Sequence, residues 1–210
     1  MIYRKAYMAQ SKTDNIASWL DTRKDYIEKL KSDNQIMSLS LFMWEKDLFL
    51  YYECIDCDIN PHEIFKQSNE YLEAWPGENE QRYWSPMYDI FHYNRPISNE
   101  HWKRGLNSKN AVGRLARIKP EMLSSYIFLH YQYQEEKPCD GDKYGIISLH
   151  ENLLFFYMES PEENEICQYE PKLKTTNTPD DWAMAMEPHF IYWDDVSENE
   201  KIWRSTEQLI

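Results

Sequence analysis

A pattern that recurs halfway along is the strongest constraint on how this chain can fold. Within 210 residues, an apolar run, a charged turn and a second apolar run occur together twice, 106 positions apart. In the first occurrence Met37 to Trp44 lead in, Glu45-Lys46-Asp47 turn, and Leu48-Phe49-Leu50-Tyr51-Tyr52-Glu53 return. In the second, Tyr144 to Leu149 lead in, His150-Glu151-Asn152 turn, and Leu153 to Glu159 return. Runs this apolar suit strands covered on both faces. A helical pattern precedes each hairpin. In the first, Ile16, Trp19, Leu20, Ile27 and Leu30 share one face, with Thr13 and Asp14 as capping residues. Shifted by 107 positions, the second helix opens near Pro120 and puts Leu123, Tyr126 and Ile127 on the same face. Arg23 then corresponds to His130.

A further helical region follows each hairpin. It covers Pro61 to Ala74 and Gln81 to Phe91 in the first half, and Pro179 to Met186 in the second. Trp84 with Asp89 matches Trp182 with Glu187, and the stretch from Ser98 to Arg104 matches that from Ser197 to Arg204. Gly105 to Asn110 read as a linker. The expected fold class is α+β: two tandem ferredoxin-like βαββαβ units, residues 1–106 and 107–210, packing sheet to sheet as an intramolecular dimeric α+β barrel.

Composition narrows the function classes. A formal net charge of −13 argues against a nucleic-acid partner and against anionic membrane surfaces. The opening residues Met1 to Ala6 carry charge at once and lack the apolar core of a signal peptide. No stretch has the length of apolar residues needed to span a bilayer, so a cytoplasmic location is expected. Cys54 and Cys57 form one C-x-x-C, whereas Cys139 and Cys167 stand alone; a structural zinc site wants a second close pair. Five glycines leave no phosphate-binding loop. The 16 Tyr and 8 Trp suit core packing, and suit stacking on carbohydrate as well.

Several segments, taken in order, resemble the L-rhamnose mutarotase family, whose chain is about half this length and forms a dimeric α+β barrel. Ile2-Tyr3-Arg4-Lys5-Ala6-Tyr7-Met8-Ala9-Gln10 is similar to that family's first strand. Gln81-Arg82-Tyr83-Trp84 looks like its Gln-Arg-Trp-Trp motif. Tyr126 with His130 fits its Tyr-x-x-x-His helix motif, and Tyr144-Gly145-Ile146 followed by Asn152-Leu153-Leu154-Phe155 resembles its hairpin. The resemblance implies cofactor-free exchange of the anomers of a rhamnose-like sugar. It implies an acid/base role for His130, with Tyr126 placing the sugar, and aromatic stacking by Tyr83 and Trp84. In the second half Trp182 alone matches that pair, because Asp181 stands beside it.

Mutarotation takes a proton from the anomeric hydroxyl and gives one to the ring oxygen, and an imidazole titrating near neutrality suits both transfers. His130 follows Tyr126 by four residues, so both point from one helix face. The plainer alternative is a core histidine bonded to a backbone carbonyl. Arg23, always protonated, can bind but cannot act as a base. Three readings follow. The first is a mutarotase-type isomerase with a pocket lined by Tyr126, His130, Tyr144 and Trp182. The second is a non-catalytic protein binding a small molecule, such as a sugar. The third is a monooxygenase or haem-degrading protein of the same barrel class. No cofactor or metal is expected. The assembly expected is a monomeric pseudo-dimer or a further homo-oligomer.

Overall fold

The computed structural model describes residues 1–13, 16–77, 81–105 and 109–210. They form two compact units. The first comprises Met1–Met87, Pro96–Asn107 and Glu207–Ile210, and the second comprises Tyr88–Arg95 and Ser108–Thr206. Each unit therefore takes one segment from the far side of the expected boundary near residue 106.

In the first unit, β1 (Ile2–Gln10) leads to α1 (Ala17–Ser32), β2 (Ile36–Trp44) and β3 (Asp47–Ile55). Strand β3 pairs antiparallel with β1, from Ile2↔Ile55 to Gln10↔Asp47, and on its other edge with β2. Strands β1 and β2, joined through α1, thus flank β3 as in the split βαβ of ferredoxin-like units. The α1 stripe Ile16, Trp19, Leu20, Ile27 and Leu30 is buried with Leu48, Leu50, Tyr52 and Cys54 of β3. The alternate β3 residues Phe49, Tyr51 and Glu53 are equally inaccessible, so both faces of the strand are covered. The Glu53 carboxylate accepts from the Tyr51 hydroxyl at 2.6 Å, the Trp102 indole at 2.8 Å and Arg104 Nη2 at 3.0 Å.

The helix starts later than its expected cap. Its N-cap is Ile16, with no side-chain capping bond, and Asp14 lies outside the described residues. Beyond β3 come the single turns α2 (Pro61–Ile64) and α3 (Ser68–Tyr71), then β4 (Ser85–His92) and the turn α4 (Asn99–Trp102). The helix expected over Gln81 to Phe91 is therefore replaced by a strand. The pattern there has period two: Ser85 and Met87 are buried, Pro86 and Tyr88 exposed. Pro86 in mid-segment also opposes a helix. Within the first unit, Ser85–Met87 pair with β1.

The second unit repeats the order. Strand β5 (Asn110–Ile118) leads through a 3-10 turn at Pro120–Met122 to α5 (Leu123–Glu136), β6 (Ile146–His150) and β7 (Leu153–Ser160). Strand β7 pairs with both β5 and β6, again a split βαβ, and Tyr88–His92 of β4 pair with the other edge of β6. The hairpin turns match as well, with Glu45 at φ 54° and Glu151 at φ 53°. The Tyr157 hydroxyl donates to Glu159 at 2.8 Å, as Tyr51 does to Glu53. After α6 (Trp182–Met186), β8 (Phe190–Ile191) and β9 (Arg204–Ser205) pair with β5. The closing strand β10 (Glu207–Gln208) belongs to the first unit and pairs with β2. Each unit is thus α+β with an antiparallel sheet. No helix among the described residues is long and apolar enough to cross a membrane.

Between β7 and α6 the chain runs from 161 to 181 without regular structure. This strap is tied down mostly by polar contacts. Lys143 N donates to Glu163 O at 2.7 Å and Leu173 N to Glu135 O at 3.1 Å. The backbone of Asn177 and Thr178 donates to the Glu136 carboxylate at 3.0 and 2.8 Å. One tie is covalent. Cys139 and Cys167, which looked isolated in the sequence, form a disulfide across a separation of 28 residues. Disulfides persist in oxidising surroundings, so a cytoplasmic location does not follow from the cysteines. Closing a loop of that length removes denatured-state entropy worth roughly 3–4 kcal/mol. Replacing both cysteines, Cys139→Ser together with Cys167→Ser, is therefore expected to lower the unfolding free energy by about that amount relative to wild type in denaturant titration. An unchanged midpoint would show that the polar ties alone hold the strap.

Candidate functional site

Tyr126, His130 and Tyr133 are four and three residues apart on α5, so they share one face. That face looks across a gap to Phe91, Ile147, Phe156 and Phe190 on the strands. Trp182, Ala183 and Met186, delivered by the strap, form one wall, and Tyr93, Ile202 and Trp203 complete the lining. The space enclosed is about 300 Å³, at the small end of sites for organic ligands. Every lining residue belongs to the second unit, and none is Asp, Glu, Lys or Arg.

Within this lining His130 is only 4 % exposed. Its ring lies 4.0 Å from Tyr126, 4.9 Å from Trp182 and 5.1 Å from Phe91, between ring centroids. Nδ1 lies 3.0 Å from the Tyr126 carbonyl oxygen. A carbonyl only accepts, so Nδ1 carries the hydrogen and Nε2 holds the lone pair. The carbonyl bond of a core histidine is thus present, and the ring lines the cavity as well. Burial pushes the imidazole pKa down to about 4, against a smaller upward pull from the Tyr126 carbonyl. At neutral pH only about one ring in a thousand is protonated, which suits an acceptor far better than a proton donor.

Tyr126 is fully buried, and its hydroxyl has no hydrogen-bond partner among the described residues. Burial raises its pKa well above the ordinary tyrosine value, so the group stays a neutral donor. Leaving such a hydroxyl unsatisfied costs on the order of 1–3 kcal/mol. The Tyr133 hydroxyl, by contrast, is engaged by Asp140 at 2.8 Å.

The other expected site residues lie elsewhere. Tyr144 is fully buried but does not line this cavity; the Lys109 and Lys143 ammonium groups sit 5.4 and 5.7 Å from its ring centre. Tyr83 and Trp84 are core residues of the first unit. The Tyr83 hydroxyl donates to Gln81, and the Trp84 indole donates to Ser68 Oγ at 3.1 Å. Trp84 borders a more polar cleft of the first unit with His62, Gln81 and Arg82. Arg23 lies on α1 and donates to its neighbour Thr22 at 2.9 Å. Of the expected set, then, the structure brings together Tyr126, His130 and Trp182. The sequence reading missed Phe91, Phe156, Phe190 and Trp203. Tyr133, seven residues after Tyr126, was accessible from helical spacing alone.

No family model matches the chain, that of the rhamnose mutarotases included, and no curated protein matches it. Among solved structures it is similar to a "putative monooxygenase" from Fusobacterium nucleatum subsp. nucleatum. That match has a TM-score of 0.50 and 12 % identity, and covers 100 % of this chain and 92 % of that one. At this identity the likeness shows a shared α+β fold.

The low His130 pKa has a consequence for stability. The folded-state value lies below the unfolded one, so the stabilisation is fully present above about pH 6.5 and is lost as pH falls towards 4. Its size is roughly 3 kcal/mol. In His130→Phe, unfolding free energy is expected to vary less with pH across that window than in wild type. Parallel pH profiles would contradict the assignment.

Proposed function

We propose that this chain is a small-molecule-binding protein whose site is the aromatic cavity of the second unit. The observation that carries this reading is the lining: a concave space of about 300 Å³ walled by rings, without a charged side chain, and holding a buried imidazole. Such a space favours a compact, mainly apolar, uncharged molecule. The reading rests on one unit. Its counterpart is read as a second copy of the same ancestral βαββαβ unit, on the strength of the paired Tyr51–Glu53 and Tyr157–Glu159 contacts and the matching hairpin turns.

Aldose mutarotation is the second reading. It is favoured by the meeting of Tyr126, His130 and Trp182 at one cavity. Two features weigh against it. A sugar brings a hydroxyl on nearly every carbon, and each one buried without a partner costs on the order of 1–3 kcal/mol. The lowered His130 pKa also leaves little of the imidazolium that would protonate the ring oxygen. The fold neighbour's name adds oxygenation of an organic substrate as a third chemistry, for which an uncharged aromatic cavity is a suitable container.

Ala183 is exposed at the cavity wall, and a Trp there would fill the entrance at little cost to the core. Naphthalene is expected to raise the thermal midpoint of the wild-type chain. A hundredfold excess over Kd would add about 2.7 kcal/mol. Ala183→Trp is expected to abolish the shift. A shift that survives the substitution would place binding elsewhere. In saturation-transfer NMR, rhamnose anomers are expected to exchange at the buffer rate with this protein. Acceleration lost in His130→Gln would establish the mutarotase reading instead.

A further inference from the structure

We propose that the Cys139–Cys167 disulfide is a redox latch on the cavity of the second unit. Closed, it holds the strap that seats α6 as a cavity wall; reduced by a dithiol, it lets the strap lift away. The regulatory role rests on the reading of that cavity as a ligand site.

The bond joins two segments that each serve the cavity. Cys139 lies in the loop after α5, and its backbone N–H donates to the Tyr93 carbonyl at 2.7 Å. The same loop closes around the Tyr93 ring: a Cβ added at Gly141 would come within 2.6 Å of it, and one at Gly145 within 2.8 Å. Tyr93 is a lining residue. Cys167 lies on the strap, which leads into α6 and so delivers Trp182, Ala183 and Met186 to the lining. The disulfide therefore ties the loop that grips Tyr93 to the segment that carries the other wall.

Apolar packing does little to fix the strap. No apolar side chain from 161 to 181 is buried, and Ile166, next to the disulfide, is 92 % exposed. The ties between Cys167 and α6 are polar. The Tyr169 hydroxyl donates to Asn94 at 3.0 Å, Lys172 to Glu135 at 2.8 Å, and the backbone of Asn177 and Thr178 to Glu136. Water replaces such bonds once a segment lifts, so each holds weakly by itself. A covalent bond does not open with thermal motion.

Both cysteines are half-buried and flanked by the exposed Asp140, Ile166 and Gln168, so a small thiolate can reach them. Its attack on one sulfur forms a mixed disulfide and expels the other cysteine as thiolate. The second thiolate of the reagent then displaces the remaining protein sulfur. The dithiol ends as its own disulfide, and its two electrons and two protons leave Cys139 and Cys167 as thiols.

The test is amide hydrogen exchange on the full chain at neutral pH, oxidised, reduced with dithiothreitol, and as Cys139→Ser with Cys167→Ser. The informative amides are those of Leu173, Asn177, Thr178, Met184 and Ala185, each hydrogen-bonded on the strap or α6. Reduction is expected to speed their exchange at least about tenfold, as for a local opening, and to leave β5 and β7 unchanged. The double variant should match the reduced chain. Naphthalene should leave the reduced form faster than the oxidised one. Equal strap exchange in both redox states would overturn the latch. So would equal acceleration of β5 and β7, which would make the bond a support of the whole unit, and so would a native disulfide that dithiothreitol leaves intact. If strap exchange responds while naphthalene binds neither form, the redox-released strap stands and the ligand-site reading falls.

Discussion

Strand β3 withdraws seven consecutive side chains from water, Leu48 to Cys54, and one of them is the Glu53 carboxylate. A strand covered on both faces has no solvent side on which to leave a charge, so the charge must be matched where it lies. Burial on its own would raise the Glu53 pKa; the Arg104 guanidinium, with Arg4 and the Tyr51 hydroxyl, more than reverses this and holds the group ionised. The Trp102 indole adds a further bond. The short turn α4 and the residues after it are thereby tied to the middle of the first unit. In the second unit Glu159 of β7 is likewise buried and takes the Tyr157 hydroxyl.

The helix side of the second sheet solves a different problem. Helix α5 turns aromatic residues inward and includes a histidine and a tyrosine whose hydroxyl finds no partner among the described residues. Both are buried, at the edge of the aromatic cavity. The wall opposite comes from α6, which reaches the site at the end of a strap held by polar bonds and a disulfide. A wall supplied by a segment with so little apolar burial is drawn from the less stable part of a structure, where ligand-binding elements commonly lie. The electrostatics of the cavity follow from burial and from its uncharged lining. With no charged residue in the lining, burial holds the His130 imidazole and the Tyr126 hydroxyl neutral.

Much of this was legible in the sequence because it is periodic. The hairpins and the α1 and α5 stripes announced themselves through spacing, and so did the pairing of Tyr126 with His130. The segment from Gln81 to Phe91 reads as helical because Trp84 with Asp89 matches Trp182 with Glu187; Pro86 was the contrary signal, and the alternating burial of Ser85 to Tyr88 shows the strand. The disulfide was invisible for a related reason. Cys139 and Cys167 are brought together by a strap without periodicity, and no spacing rule predicts such a meeting. Tyr144 was assigned by resemblance to a family hairpin and Arg23 by correspondence with His130 across the repeat, and local packing directs them to other partners. Four of the thirteen lining residues, Phe91, Phe156, Phe190 and Trp203, lie apart in sequence and read individually as core.

The central claim is that a small aromatic molecule occupies the space between α5 and the sheet of the second unit. Intermolecular NOEs test this most directly, measured between naphthalene protons and isoleucine δ1-methyl groups labelled in an otherwise deuterated chain. Ile147 and Ile202 line the cavity, whereas Ile16 and Ile27 are buried in the core of the first unit. The account predicts cross-peaks to Ile147 and Ile202 and none to Ile16 or Ile27. Cross-peaks confined to other isoleucines would contradict it.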